Sequence, residues 1–193
     1  MEAHEASELI EQSAHGDHKQ NRSALTISIL AMVMAIASLG GSNAMKEATQ
    51  ENILASNAYA FYQAKNIRQT SFKLAATDLE VQLVKEPNMN AAAKALIEKK
   101  IEEYKKTADR YESDPESKEG KKELLVRAKA HEALRDHAML QDPWFDYAEG
   151  ALQIAIVLLS VSIVASVPAL YWAGTLLGAF GFVSTLNGYF LLF

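Results

Sequence analysis

Residues 25–41 read LTISILAMVMAIASLGG, without a single charged side chain. With its flanks, from 23 to 44, the stretch has about the twenty residues that a helix needs to cross a bilayer core. A cleaved signal peptide is the alternative, but such peptides have shorter apolar cores, start closer to the N-terminus and end at a small-residue cleavage site. Here a polar tail, residues 1–22, comes first and carries Glu2, Glu5, Glu8, Glu11 and Asp17. An uncleaved first span is therefore expected.

Moving outward, charge is distributed unevenly. Residues 148–193 hold only Glu149, whereas residues 45–146 hold 17 Lys and Arg against 18 Asp and Glu. The net charge of -5 thus arises mainly in the tail. A middle segment so close to neutral offers no basic face for nucleic acid. The chain has no cysteine, which excludes disulfides, thiolate catalysis and zinc–cysteine sites.

The last fifty residues accommodate a second span at 148–167 and a third at 170–190, with Pro168 where a helix break is wanted. Aromatic rings collect at the expected interfaces: Trp144, Phe145 and Tyr147 before span two, Tyr171 and Trp172 at the turn, Tyr189 and Phe190 near the end. Orientation stays open from charge alone. Lys19 and Arg22 next to span one favour an internal N-terminus, but a wider count adds Arg127, Lys129 and Arg135 to the opposite side.

Residues 45–146 form the expected extramembrane domain. They show no strand-like alternation, and their breakers are confined to Pro87-Asn88, residues 114–120 and Asp142-Pro143. Helices are expected at 45–86, 90–112 and 121–141, folding as a hairpin in which the first rises and the other two return. Ile53, Ala60, Ile67, Leu74 and Val81 recur every seventh residue, with small partners at Ala64 and Ser71. Ile97, Ile101, Tyr104, Ala108 and Tyr111 alternate by four and three; both patterns are coiled-coil seams. A second stripe on the first helix, Phe61, Ala64, Phe72, Ala75, Leu79 and Leu83, gives it two apolar faces. One partner helix covers one face, so a three-helix bundle or another subunit is expected at the other.

The run AYAFYQAKNIRQ at 58–69 resembles a recurrent motif, WAYYQAKSIKQ-like, of an uncharacterised bacterial membrane-protein family, domain of unknown function 4337. This chain has Tyr59 where Trp is usual and Phe61 where Tyr is usual. The resemblance implies the layout of one span, a helical middle and a hairpin of two spans, and it implies no chemistry. The family's turn between the last two spans is often basic, which implies a cytoplasmic turn and a periplasmic middle domain; here that turn is uncharged.

Candidate chemistry is sparse. His15, Asp17 and His18, with His4 upstream, have the ligand types for a divalent metal, but a plain polar tail is the expected reading. His131 and His137 are six apart and point to different sides of a helix. Glu132 and Asp136, beside Lys129 and Arg135, read as a solvated face. Tyr59, Phe61 and Tyr62 read as core or subunit interface. Glu149, with Gln153 one turn deeper, is a possible intramembrane polar site, because an ionisable residue in a spanning helix is a functional candidate. Gly174, Gly178, Gly181, Thr185 and Gly188 lie on one stripe of span three, and Ser28, Ala31, Ala35, Ser38 and Ser42 on one of span one. Such stripes let helices approach closely in lipid, within one chain or between copies.

The expected fold is thus an all-α integral membrane protein with three transmembrane helices and a long, coiled-coil-like extramembrane helical hairpin between spans one and two. The expected function is a membrane-anchored helical scaffold or accessory subunit that self-assembles, without catalytic activity, metal or cofactor. The alternative is an oligomeric channel or transporter component lined by Glu149, Gln153 and Asn187. Expected partners are membrane lipid, further copies as a homo-oligomer and a larger membrane complex, but no nucleic acid. The expected place is the bacterial inner (cytoplasmic) membrane, with the middle domain periplasmic.

Overall fold

In the computed structural model the described residues form four helices in sequence: α1 (Ala3–Lys85), α2 (Ala91–Glu112), α3 (Lys121–Ala165) and α4 (Pro168–Phe190). The structure describes the backbone from residue 3 and the side chains from residue 21. No strand occurs among the described residues. Among the described residues three helices, α1, α3 and α4, are long and apolar enough to cross a membrane.

The breaks fall where local chemistry puts them. α1 ends before Pro87, and α2 opens at Asn90, whose side chain accepts a hydrogen bond from the backbone N–H of Ala93 at 2.8 Å. The link from α2 to α3 is held by Glu123, which accepts from the Ser113 hydroxyl at 2.6 Å and from the Asp114 N–H at 3.2 Å. α3 stops at Ala165; Ser166 takes a left-handed φ of 54°, and Pro168 occupies the first turn of α4.

One expected break is absent. Pro143 does not end a helix but lies inside α3, so the return helix and span two are one element. Proline removes one backbone hydrogen bond and costs about 3 kcal/mol in a helix interior. Apolar packing on the C-terminal side offsets this, because Phe145, Ala148 and Leu152 are all buried just beyond it. Span one and the rising helix are likewise one element, α1. Gly40 and Gly41 stay inside it because the Phe145 ring lies against them: a Cβ at Gly40 would sit 2.5 Å from Phe145 Cε1.

The chain divides into two compact units, one of Thr49–Arg135 and the other of the flanking sequence up to Ala48 together with Asp136–Phe193. In the flanking unit, parts of α1, α3 and α4 pack around Leu30, Ala37, Ala44, Phe145, Ala148, Leu152, Ala155 and Leu159. In the Thr49–Arg135 unit, α2 and the start of α3 pack one after the other along α1. Phe72 of α1 meets Tyr104 and Tyr111 of α2 at 5.5 and 5.8 Å, and Glu51 of α1 meets His131 of α3 at 2.6 Å. The α2 stripe at 97, 101, 104, 108 and 111 is the inward face, with Ile101 and Ala108 buried.

Candidate functional site

The Thr49–Arg135 unit is held by the run 58–69. Ala58, Tyr62, Lys65 and Gln69 are spaced four, three and four apart, so they share one face of α1. Ala58 and Gln69 are buried, and Tyr62 and Lys65 half-buried. Gln69, only 3 % exposed, is the centre of a polar clamp. Its Nε2 donates to the Ala108 carbonyl and to Glu112 Oε2, both at 3.0 Å. Lys121 Nζ donates to Gln69 Oε1 at 2.9 Å and to Glu112 Oε2 at 3.1 Å. These two donors hold the Glu112 carboxyl below its ordinary pKa, the Gln69 bond first and Lys121 second. Lys65 pairs with Glu119 at 3.3 Å and lies 5.5 Å from the Tyr111 ring, while Lys121 lies 5.5 Å from the Tyr62 ring. One face of α1 thereby anchors the end of α2, the connecting turn and the start of α3. The sequence reading did not single out this clamp; its signal was the 4–3–4 spacing of Ala58, Tyr62, Lys65 and Gln69.

The opposite face of α1 is uncovered. Ile53, Ile67, Leu74 and Val81 are 54, 67, 61 and 44 % exposed, and Ala60 is exposed with them. The seventh-residue seam therefore lies away from α2 and α3. The second stripe divides: Phe72, Ala75, Leu79 and Leu83 are half-buried, whereas Phe61 and Ala64 are exposed. The rest of the outer face carries little charge. Of the residues exposed between 49 and 77, only Arg68 and Lys73 carry charge. The hydroxyls of Thr70, Ser71 and Thr77 donate to their own helix, to the carbonyls of Asn66, Ile67 and Lys73 at 2.9, 3.0 and 3.0 Å. The strip thus sets the apolar seam among mostly uncharged polar side chains, the exposed amides of Asn57, Gln63 and Asn66 included. Such a face is informative, because helix faces exposed to water are ordinarily charged.

In the flanking unit, the glycine stripe of α4 is consumed by packing within the chain. A Cβ at Gly174 would meet Leu159 Cγ at 2.9 Å, at Gly178 Leu30 Cδ1 at 2.7 Å, at Gly181 Leu152 Cγ at 2.6 Å, and at Gly188 Phe145 Cε1 at 2.7 Å. The small stripe of α1 is not used in this way. Ser28, Ala31, Ala35 and Ser42 are exposed and Ser38 half-buried, while Leu30, Ala37 and Ala44 face the bundle. Two faces of that span have small or apolar side chains, and only the partner helices decide which is inward.

Gln153 Nε2 lies 3.4 Å from Glu149 Oε1; Gln153 is exposed and Glu149 half-buried on the outside of the bundle. Asn187 is fully buried and does not line a surface. Its Oδ1 accepts from the N–H groups of Leu192 and Phe193 at 2.6 and 3.1 Å, and its Nδ2 donates to the Phe193 carbonyl at 3.0 Å, so it caps α4. This removes it from the pore-lining candidates. His131 is paired with Glu51 and His137 is exposed. Glu132 is half-buried, so that carboxylate is not simply solvated. The side chains of His4, His15, Asp17 and His18 lie outside the described residues; among the described residues no three His, Asp or Glu gather as a metal site.

Neither characterised proteins nor solved structures gave a match. A family model does match, over residues 19–191, which includes all three candidate spans and the whole helical hairpin between them. The chain belongs to DUF4337, the family of domain of unknown function 4337.

Proposed function

We propose that this protein is a three-span protein of the bacterial inner membrane whose helical hairpin is a self-assembling scaffold or accessory subunit. The observation that carries the proposal is the outer face of α1: a seventh-residue apolar seam, exposed along its length and lying opposite the packed face. Apolar surface of this extent in water is covered by a partner, and its heptad spacing fits another helix. The reading is structural and not catalytic, because this face offers shape and apolar surface and not reactive groups.

In this reading the N-terminus is cytoplasmic, as Lys19 and Arg22 favour, and the hairpin is periplasmic. The glycine stripe of α4 serves the chain's own bundle, so assembly is assigned to the hairpin layer. Light scattering of the purified protein in mild detergent, corrected for bound detergent, tests the proposal. A mass of two or more chains is expected, and a single-chain mass after mild extraction overturns it.

A second reading, an oligomeric channel, is favoured by the Glu149–Gln153 pair on the outside of the bundle. Polar side chains facing lipid are costly unless a neighbour or water meets them. Ion flux in reconstituted vesicles that Glu149→Gln abolishes would establish it; no flux above that of empty vesicles leaves the scaffold reading in place.

A further inference from the structure

From the chemistry of the outer face of α1 we infer that its occupant is the same face of a second copy, laid parallel and in register. The inference rests on the self-assembly reading and names the partner and the geometry. In a parallel, in-register pair every seam residue meets its own counterpart, so any charge at the seam meets a like charge. A face built for a different protein has no such restriction and commonly gains specificity from complementary charge. The strip from 49 to 77 meets the self-pairing requirement along its seam line: Ile53, Ala60, Ile67 and Leu74 are uncharged, and Arg68 and Lys73 lie about 100° round the helix from Ile67 and Leu74.

The same rule sets where the contact weakens. Asp78 is exposed four residues beyond Leu74, next to Val81, and would oppose its own copy. The pairing therefore runs through Leu74 and loosens toward the tip of the hairpin. Asn57, four residues after Ile53 and three before Ala60, falls beside the seam, where an amide buried by pairing favours two strands in one register. α3 exposes apolar side chains of its own, Val126 and Leu134, with the charged Arg127 and Lys129 between them, so it is the control against which the α1 seam is tested.

The size is sufficient. At about 1.5 Å per residue the stretch 49–77 is about 42 Å long, and a helix is about 10 Å across. Two such strips together remove on the order of 1,000 Å² from water, near the lower bound of a specific interface. Both copies pass into the same bilayer through the same helix, which selects the parallel arrangement and removes part of the association entropy.

The protein has no native cysteine, so each single substitution supplies the sole thiol. Ala60→Cys, Ile67→Cys and Leu74→Cys, each in the full chain in native membranes, would be oxidised and compared with Lys99→Cys on α2 and Val126→Cys on α3. All five positions are exposed, so folding is preserved, and helicity of the purified variants checks this. Covalent dimer is expected at all three seam positions at least tenfold faster than at the two controls. An antiparallel pair would cross-link at one seam position at most, and that result overturns the inference. So does faster cross-linking at Val126, which would place the contact on α3. Absence of seam dimers in a particle of oligomeric mass overturns the inference while leaving self-assembly standing; a single-chain mass overturns both.

Discussion

Gln69→Leu is the sharpest test of how the hairpin is held. The substitution keeps side-chain volume and removes three hydrogen bonds, to the Ala108 carbonyl, to Glu112 and from Lys121. Lys121 and Glu112 keep each other, at 3.1 Å, so no buried charge is stranded. A net hydrogen bond is worth about 0.5–1.5 kcal/mol, and one to a charged group about 1.5–3 kcal/mol. Because Glu112 is partly open to water, the loss should lie at about 2–4 kcal/mol, below the sum of the upper values. Opening of α2 and the start of α3 should become easier by that amount, a factor of roughly 30 to 1,000 in amide exchange. Hydrogen exchange followed by mass spectrometry on peptides from 97–112 and 121–131 reads this directly, with peptides from 148–165 as the internal standard. Exchange within threefold of the unmutated protein would refute the assignment of Gln69 as the clamp.

Other changes separate folding from assembly. Ile67→Asp should cost the hairpin under about 1 kcal/mol, since the side chain is exposed in the single chain, yet reduce the particle to one chain; unfolding of the hairpin, seen by circular dichroism, would contradict this. Gly178→Leu should drive α4 against Leu30 and destabilise the flanking unit, while exchange protection at 97–112 is unchanged. Glu112 and Asp114 both have carboxyls held below their ordinary pKa, by Gln69 and Lys121 and by Ser117 respectively. Their contribution is present above the unfolded pKa, about 4, and is lost as pH falls through the lower folded values. Proteolysis within 113–120 should therefore accelerate below about pH 4. A thiol placed by Ser117→Cys should react with an impermeant reagent in intact cells; reactivity only after lysis would reverse the orientation.

Much of this architecture was legible because hydropathy and breakers are local signals. The charge-free run at 25–41, the Pro87 and 114–120 breaks and Pro168 each act within a few residues, and the helices end at those three breaks. Pro143 was misleading for the same reason. A local rule prices the lost hydrogen bond, while the burial of Phe145 and Leu152 that offsets it depends on α1 and α4. Two apolar faces on α1 could be counted from spacing, but which one meets α2 and α3 could not. Phe72 and Gln69 choose it, through Tyr104, Tyr111 and Glu112, residues more than thirty positions away. Likewise Asn187 looked like a polar residue inside a span; its role as a cap depends on the chain turning at Leu191, where φ is 46°.

The central claim is that copies of this chain associate through the outer face of α1. Two differently tagged copies, co-expressed and extracted from membranes in mild detergent, test it most directly. One tag should retrieve the other chain when both are unmutated, and retrieval should fall at least tenfold when both carry Ile67→Asp. Equal retrieval with and without Ile67→Asp would place the contact elsewhere, and no retrieval of the unmutated chain would contradict self-assembly itself.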